Sequence, residues 1–186
     1  MSKAKKQKPM DPMETLRGAF HDNDLETVKR FVLEQKENVN VTDPEFICEA
    51  CHYECLDVIK WLVGQGADIT TDDNLPLKNA VWYNRTDIVT FLVENGAAVT
   101  SRDNNAIVQA SEHGNLELVR YLVSKGADIT AQENASAYSA AEYKHYDVVQ
   151  YLYEHGADLN GVANKESVMK YLLDHCEVKY TILPYR

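Results

Sequence analysis

The sequence predicts an all-α fold, a helix-turn-helix solenoid in which one unit recurs at a fixed period. Three observations predict it. Gly66-Ala67, Gly96-Ala97, Gly126-Ala127 and Gly156-Ala157 follow one another at intervals of 30 residues. Each pair closes a segment whose apolar residues are spaced by three and four, the spacing of an amphipathic helix. Small residues Ala50, Ala80, Ala110 and Ala140 recur at the same interval, where a neighbouring helix can approach closely. A period of this length belongs to a stacked array rather than to one closed core.

Within each unit the later helix is the clearer one. Leu56, Thr86, Leu116 and Tyr146 open it, and Asp57, Asp87, Glu117 and Asp147 put an acid in its first turn, where the helix dipole favours negative charge. Val58-Ile59, Ile88-Val89, Leu118-Val119 and Val148-Val149 supply the buried stripe, followed by Leu62, Leu92, Leu122 and Leu152. The glycine then acts as a C-terminal stop. An earlier, shorter helix precedes it, with Asn74, Asn104 and Asn134 standing where an N-cap is needed. A short extended link is expected to join one unit to the next.

The ends depart from the pattern. Repeat one runs from about Met13 to Asp43, with Leu25, Val28 and Phe31-Val32 in its helix and Gln35-Lys36-Glu37 in place of Gly-Ala. Beyond Gly161, Val168-Met169-Lys170-Tyr171-Leu172-Leu173 reads as a second helix whose own first helix is missing or shortened. Atypical end units suit an array whose outer faces meet water. The expected organisation is a basic disordered arm over 1–12, an array over 13–177 and a β-prone tail over 178–186.

These residues resemble the ankyrin repeat. Asn115 to Ile129 follows that family's second helix and turn almost position by position, and Pro76-Leu77-Lys78-Asn79-Ala80 is similar to its Thr-Pro-Leu-His-x-Ala opening. Leu75 replaces the Thr and Lys78 the His. The usual unit has three residues more, and alignment puts the deficit in the hairpin before the next helix, so shortened hairpin fingers are expected. Trimmed units of this kind resemble the ankyrin arrays of large DNA viruses and some amoebae. The resemblance implies a binding scaffold, not an enzyme.

It also implies where a partner sits. In ankyrin-like units the two residues after the small pair that ends helix one project onto the concave face. Here these are His52-Tyr53, Trp82-Tyr83, Glu112-His113 and Glu142-Tyr143, with His21-Asp22 in the first unit. Large amphipathic aromatics in such places make interface hot spots. Asp72, Asp73 and Asp103 in the linkers give the face an acidic margin. The alternative is that Trp82 and Tyr83 pack between repeats. A second ladder, Trp61, Phe91, Tyr121 and Tyr151, recurs in the middle of helix two and is assigned to packing.

The cysteines admit two chemistries, and the register argues against both. Cys48, Cys51, His52 and Cys55 lie at helical spacing, and Cys48-Glu-Ala-Cys51-His52 fits the Cys-x-x-Cys-His pattern of haem attachment. Yet Cys51 falls where Val81, Ser111 and Ala141 fall, a small packed position. One rigid helix also provides tetrahedral zinc geometry poorly. Free thiols in a reducing compartment are expected, with neither metal nor cofactor, and Cys176 stands alone near the C-terminal end. No nucleotide-binding loop, zinc-protease helix or nucleophile elbow is present in the sequence, and the six histidines form no catalytic constellation.

Charge narrows the partner. The formal net charge is −10; Lys3, Lys5, Lys6 and Lys8 lie between Met1 and Pro9, which leaves −14 on the rest. Such a body repels phosphates and favours a basic protein partner, so no nucleic acid binding is expected, and with no apolar stretch near the roughly 18 residues of a span no membrane binding is expected either. The leading expectation is a monomeric cytoplasmic binder or inhibitor, acting in a host's cytoplasm or nucleus if it is viral or an effector. The alternative is a non-catalytic targeting subunit that recruits an enzyme supplied by another chain.

Overall fold

The computed structural model describes residues 12–34, 44–162 and 165–175, and the expected basic arm, Gln35-Lys36-Glu37, Cys176 and the C-terminal tail lie outside them. Among the described residues there are eleven α-helices and no strand. The chain divides into two compact units, Met1–Ala97 and Ala98–Arg186.

The first unit holds α1 (Pro12–His21), α2 (Leu25–Glu34), α3 (Pro44–His52), α4 (Leu56–Gly64), α5 (Thr71–Trp82) and α6 (Thr86–Glu94). Helices α1, α3 and α5 are the first helices of their repeats and pack in sequence, α1 on α3 and α3 on α5. Ala19, Ala50 and Ala80 are buried, and it is their small side chains that allow this approach. Helices α2 and α4 pack together behind them. Val28, Val32, Val58, Ile59 and Leu62 are their buried stripe.

The second unit holds α7 (Ser101–Glu112), α8 (Leu116–Ser124), α9 (Ala131–Glu142), α10 (Tyr146–Glu154) and α11 (Lys165–His175). Helix α7 packs along α9 and α8 along α10. Helix α11 lies against α10, with the Tyr171 ring 5.2 Å from that of Tyr146. Helices α4, α6, α8 and α10 begin at Leu56, Thr86, Leu116 and Tyr146, with the acid in the first turn of each. Gly66, Gly96, Gly126 and Gly156 have φ of 94°, 107°, 93° and 103°, the left-handed backbone that favours glycine at a helix end.

The links correct the expectation of an extended segment. Asp72-Asp73-Asn74, Arg102-Asp103-Asn104 and Gln132-Glu133-Asn134 all have φ between 47° and 67°. The amides of Asn74, Asn104 and Asn134 reach the carbonyls of Thr70, Thr100 and Thr130 at 3.1, 3.2 and 3.1 Å, closing a single left-handed turn. This conformation costs an ordinary residue roughly 1–2 kcal/mol, and Asn and Asp tolerate it best. Asn104 and Asn134 therefore do not spend their side-chain oxygens on their own helices as expected. Instead, Asn104 Oδ1 accepts from the Asp128 amide at 2.8 Å, and Asn134 Oδ1 from the Asp158 amide at 2.9 Å. A left-handed backbone aims the side chain away from its own helix and towards the following link. That link is itself fixed by Asp128 and Asp158, whose carboxylates accept from the amides two residues on.

Candidate functional site

The aromatic pairs at the ends of the first helices lie on the surface. In the first unit they form a continuous stack. The His21 ring meets Tyr53 edge-on at 6.1 Å, Tyr53 lies 4.5 Å from His52, and His52 stacks on Tyr83 at 4.6 Å and 22°. Trp82, the last residue of α5, is 55% exposed and Tyr83 36%. Trp82 is therefore a surface residue and not part of the core.

Two arginines brace this stack. Arg17 Nε donates to Glu49 at 3.0 Å, with Glu45 at 3.7 Å. The hydrogen bond and charge of Glu49 raise the Arg17 pKa, and Tyr53 contributes. Arg85 pairs with Glu54 at 2.6 Å and donates to the His52 carbonyl at 3.3 Å. Asp22 accepts or shares a hydrogen bond with His21 at 2.9 Å.

In the second unit, Glu112 and Glu142 end α7 and α9, and His113 and Tyr143 follow them. Tyr143 is 55% exposed. Its phenol pKa is raised, first by the charge of Glu112, then by partial desolvation and Glu142. Its ring lies 6.4 Å from His145. The amide of Gln109 also donates to Glu112, at 3.1 Å.

The acids named as a margin stand apart from these rings. Asp72, Asp73 and Asp103 are exposed and lie in the left-handed turns, at the opposite end of the helices from the aromatics. The right-handed part of α5 separates the two ends by about 12 Å at 1.5 Å per residue. The acids Asp72 and Asp73 and the rings of Trp82 and Tyr83 therefore lie at opposite ends of α5.

Residue type did not reveal the side chains that hold this face in place. Cys55, Arg85 and His145 occupy the same position, just before helix two, and each bonds a carbonyl of the preceding repeat. Cys55 Sγ lies 2.9 Å from the Phe20 carbonyl, Arg85 reaches that of His52, and His145 Nε2 lies 3.0 Å from that of Glu112. Only their shared position in the 30-residue register could have singled them out, because the three side chains have little else in common.

The thiols point in different directions. Cys51 Sγ lies 3.6 Å from the Pro76 carbonyl, in the repeat after its own, while Cys55 reaches back to Phe20. Burial pushes the Cys48 and Cys55 thiols up to about 11, and Cys51 further still. Among the described residues, no group of three or more His, Cys, Asp or Glu side chains is placed to hold a metal ion. Among them, too, no helix is long and apolar enough to cross a membrane.

With this geometry in place, comparison with known families is decisive. A family model described as ankyrin repeats (3 copies) matches residues 16–103 and 100–163. The chain belongs to the ankyrin repeat family. A search of curated proteins found no match. Ankyrin repeats are a protein–protein interaction module, and this one presents its exposed rings at the family's first-helix ends.

Proposed function

We propose that this ankyrin array is a monomeric binder or inhibitor of a basic protein partner, engaged through the ends of its first helices. The observation that carries the reading is the exposure of Trp82, Tyr83 and Tyr143 at equivalent positions of the repeat. The fold does not need Trp or Tyr there, since Glu112-His113 fills the same place after α7. Exposed aromatics beside carboxylates offer both apolar area and attraction for cations. The net charge of −10 supports a basic partner and opposes phosphate binding.

The test is partner binding by Trp82→Ala with Tyr83→Ala. Truncating a hot-spot aromatic typically costs about 2 kcal/mol or more, so the pair should weaken binding by at least about a hundredfold. Asp72→Lys with Asp73→Lys should instead slow association and flatten its salt dependence, because peripheral charges steer encounter more than they hold the complex. Wild-type affinity in the aromatic double variant would place the partner elsewhere.

A further inference from the structure

The ring stack of the first unit lies beside the Arg85–Glu54 ion pair. We propose that it takes guanidinium in preference to ammonium, so that the recognised segment of the partner carries arginines. This rests on the reading that the face binds a basic protein.

Three observations point to it. Tyr53, His52 and Tyr83 are ring-on-ring at 4.5 and 4.6 Å, and Trp82 and Tyr83 leave ring surface exposed next to them. A guanidinium is flat and weakly hydrated, so it can lie on such a surface while its N–H groups point outward in plane. An ammonium has no flat face and keeps its water. The exposed carboxylates of Asp22 and Glu54 stand on the rim, and although His21 and Arg85 already bond them, each carboxylate has lone-pair sites left for that outward fork. The chain's own Arg17 and Arg85 already dock on this rim, Arg17 against Glu49 and Arg85 across Glu54 and the His52 carbonyl. The chain also stacks a guanidinium on a tyrosine elsewhere, with Arg120 4.5 Å above the Tyr151 ring in the second unit.

The experiment uses the full chain with hexa-arginine and hexa-lysine peptides of equal charge, titrated by calorimetry and tryptophan fluorescence at near-physiological salt. Hexa-arginine should bind at least about tenfold more tightly than hexa-lysine. Tyr83→Leu, which keeps apolar area but removes the ring, should close most of that gap, and Tyr83→Phe should preserve it. Thermal melts of each variant establish that it is folded. Equal affinities for the two peptides, or a gap that Tyr83→Leu leaves unchanged, would overturn the arginine preference. If both peptides bind equally and both are lost on Trp82→Ala with Tyr83→Ala, the face still binds cations and only the preference falls. If neither binds, or binding ignores both face variants, the reading of the face falls with it.

Discussion

Gly114→Ala offers a quantitative test of how the repeats lock together. Gly114 turns the chain between α7 and α8 with φ of 69°. Left-handed backbone is not by itself the reason for glycine, because Glu54, Asn84 and Lys144 adopt φ of 62°, 56° and 64° at the same place in their repeats. The reason is His145, whose imidazole occupies the space that a Cβ on Gly114 would enter. Alanine must therefore displace the ring and break its 3.0 Å contact with the Glu112 carbonyl. The backbone term is about 1 kcal/mol and the lost hydrogen bond about 1 kcal/mol. With some loss of ring packing, the total should reach about 2–3 kcal/mol, or several degrees in Tm for a chain of this size. In a His145→Ala background only the backbone term remains, so a double-mutant cycle should show coupling of about 1 kcal/mol or more. Urea denaturation of the four proteins measures it. An equal cost for Gly114→Ala in both backgrounds would refute the steric lock.

Other substitutions probe separate features. Gly126→Val should destabilise by about 1–2 kcal/mol, because its φ of 93° suits only glycine although no atom lies within 4 Å of the added Cβ. Ser124→Ala, at an exposed position two residues earlier, should stay within about 0.5 kcal/mol, and equal denaturation midpoints for the two would show the register to be wrong. Ser111→Ala should stabilise by about 1 kcal/mol in the same assay, since the Ser111 hydroxyl is buried without a hydrogen-bond partner. The raised thiols predict an alkaline weakness: the folded state holds the Cys51 and Cys55 protons more tightly than the unfolded state, whose thiols titrate near 9.0. Stability should therefore be full below about pH 9 and fall as pH rises towards 11. Cys51→Ala should flatten that part of the melting-temperature profile; an unchanged slope would count against it.

Much of the fold was legible because the repeat states it four times. One glycine could have been a loop, but Gly66, Gly96, Gly126 and Gly156 in register with Leu62, Leu92, Leu122 and Leu152 fix both the helix and its end. The links were harder to read. Asparagine is favoured both as an N-cap and in left-handed backbone, and the register of Asn74, Asn104 and Asn134 fits either role. Only the backbone angles, and the amides of Asp128 and Asp158 that accept no other reading, show which applies. For the candidate site, repeat position pointed to Trp82, Tyr83 and Tyr143, while the stacking of His52 on Tyr83 depends on spacing between repeats that no single unit encodes. The separation of Asp72 and Asp73 from the rings follows from their place at the other end of α5, which linear proximity in a link does not convey.

The central claim is that the exposed aromatics at the first-helix ends hold a protein partner. Its most direct test is dissociation kinetics of a captured partner from wild type and from Trp82→Ala with Tyr83→Ala, beside thermal melts of both. The double variant should melt within about 2 °C of wild type, as expected for surface positions, with binding weakened at least about a hundredfold, mainly through faster dissociation. A double variant that melts normally and releases its partner at the wild-type rate would contradict it.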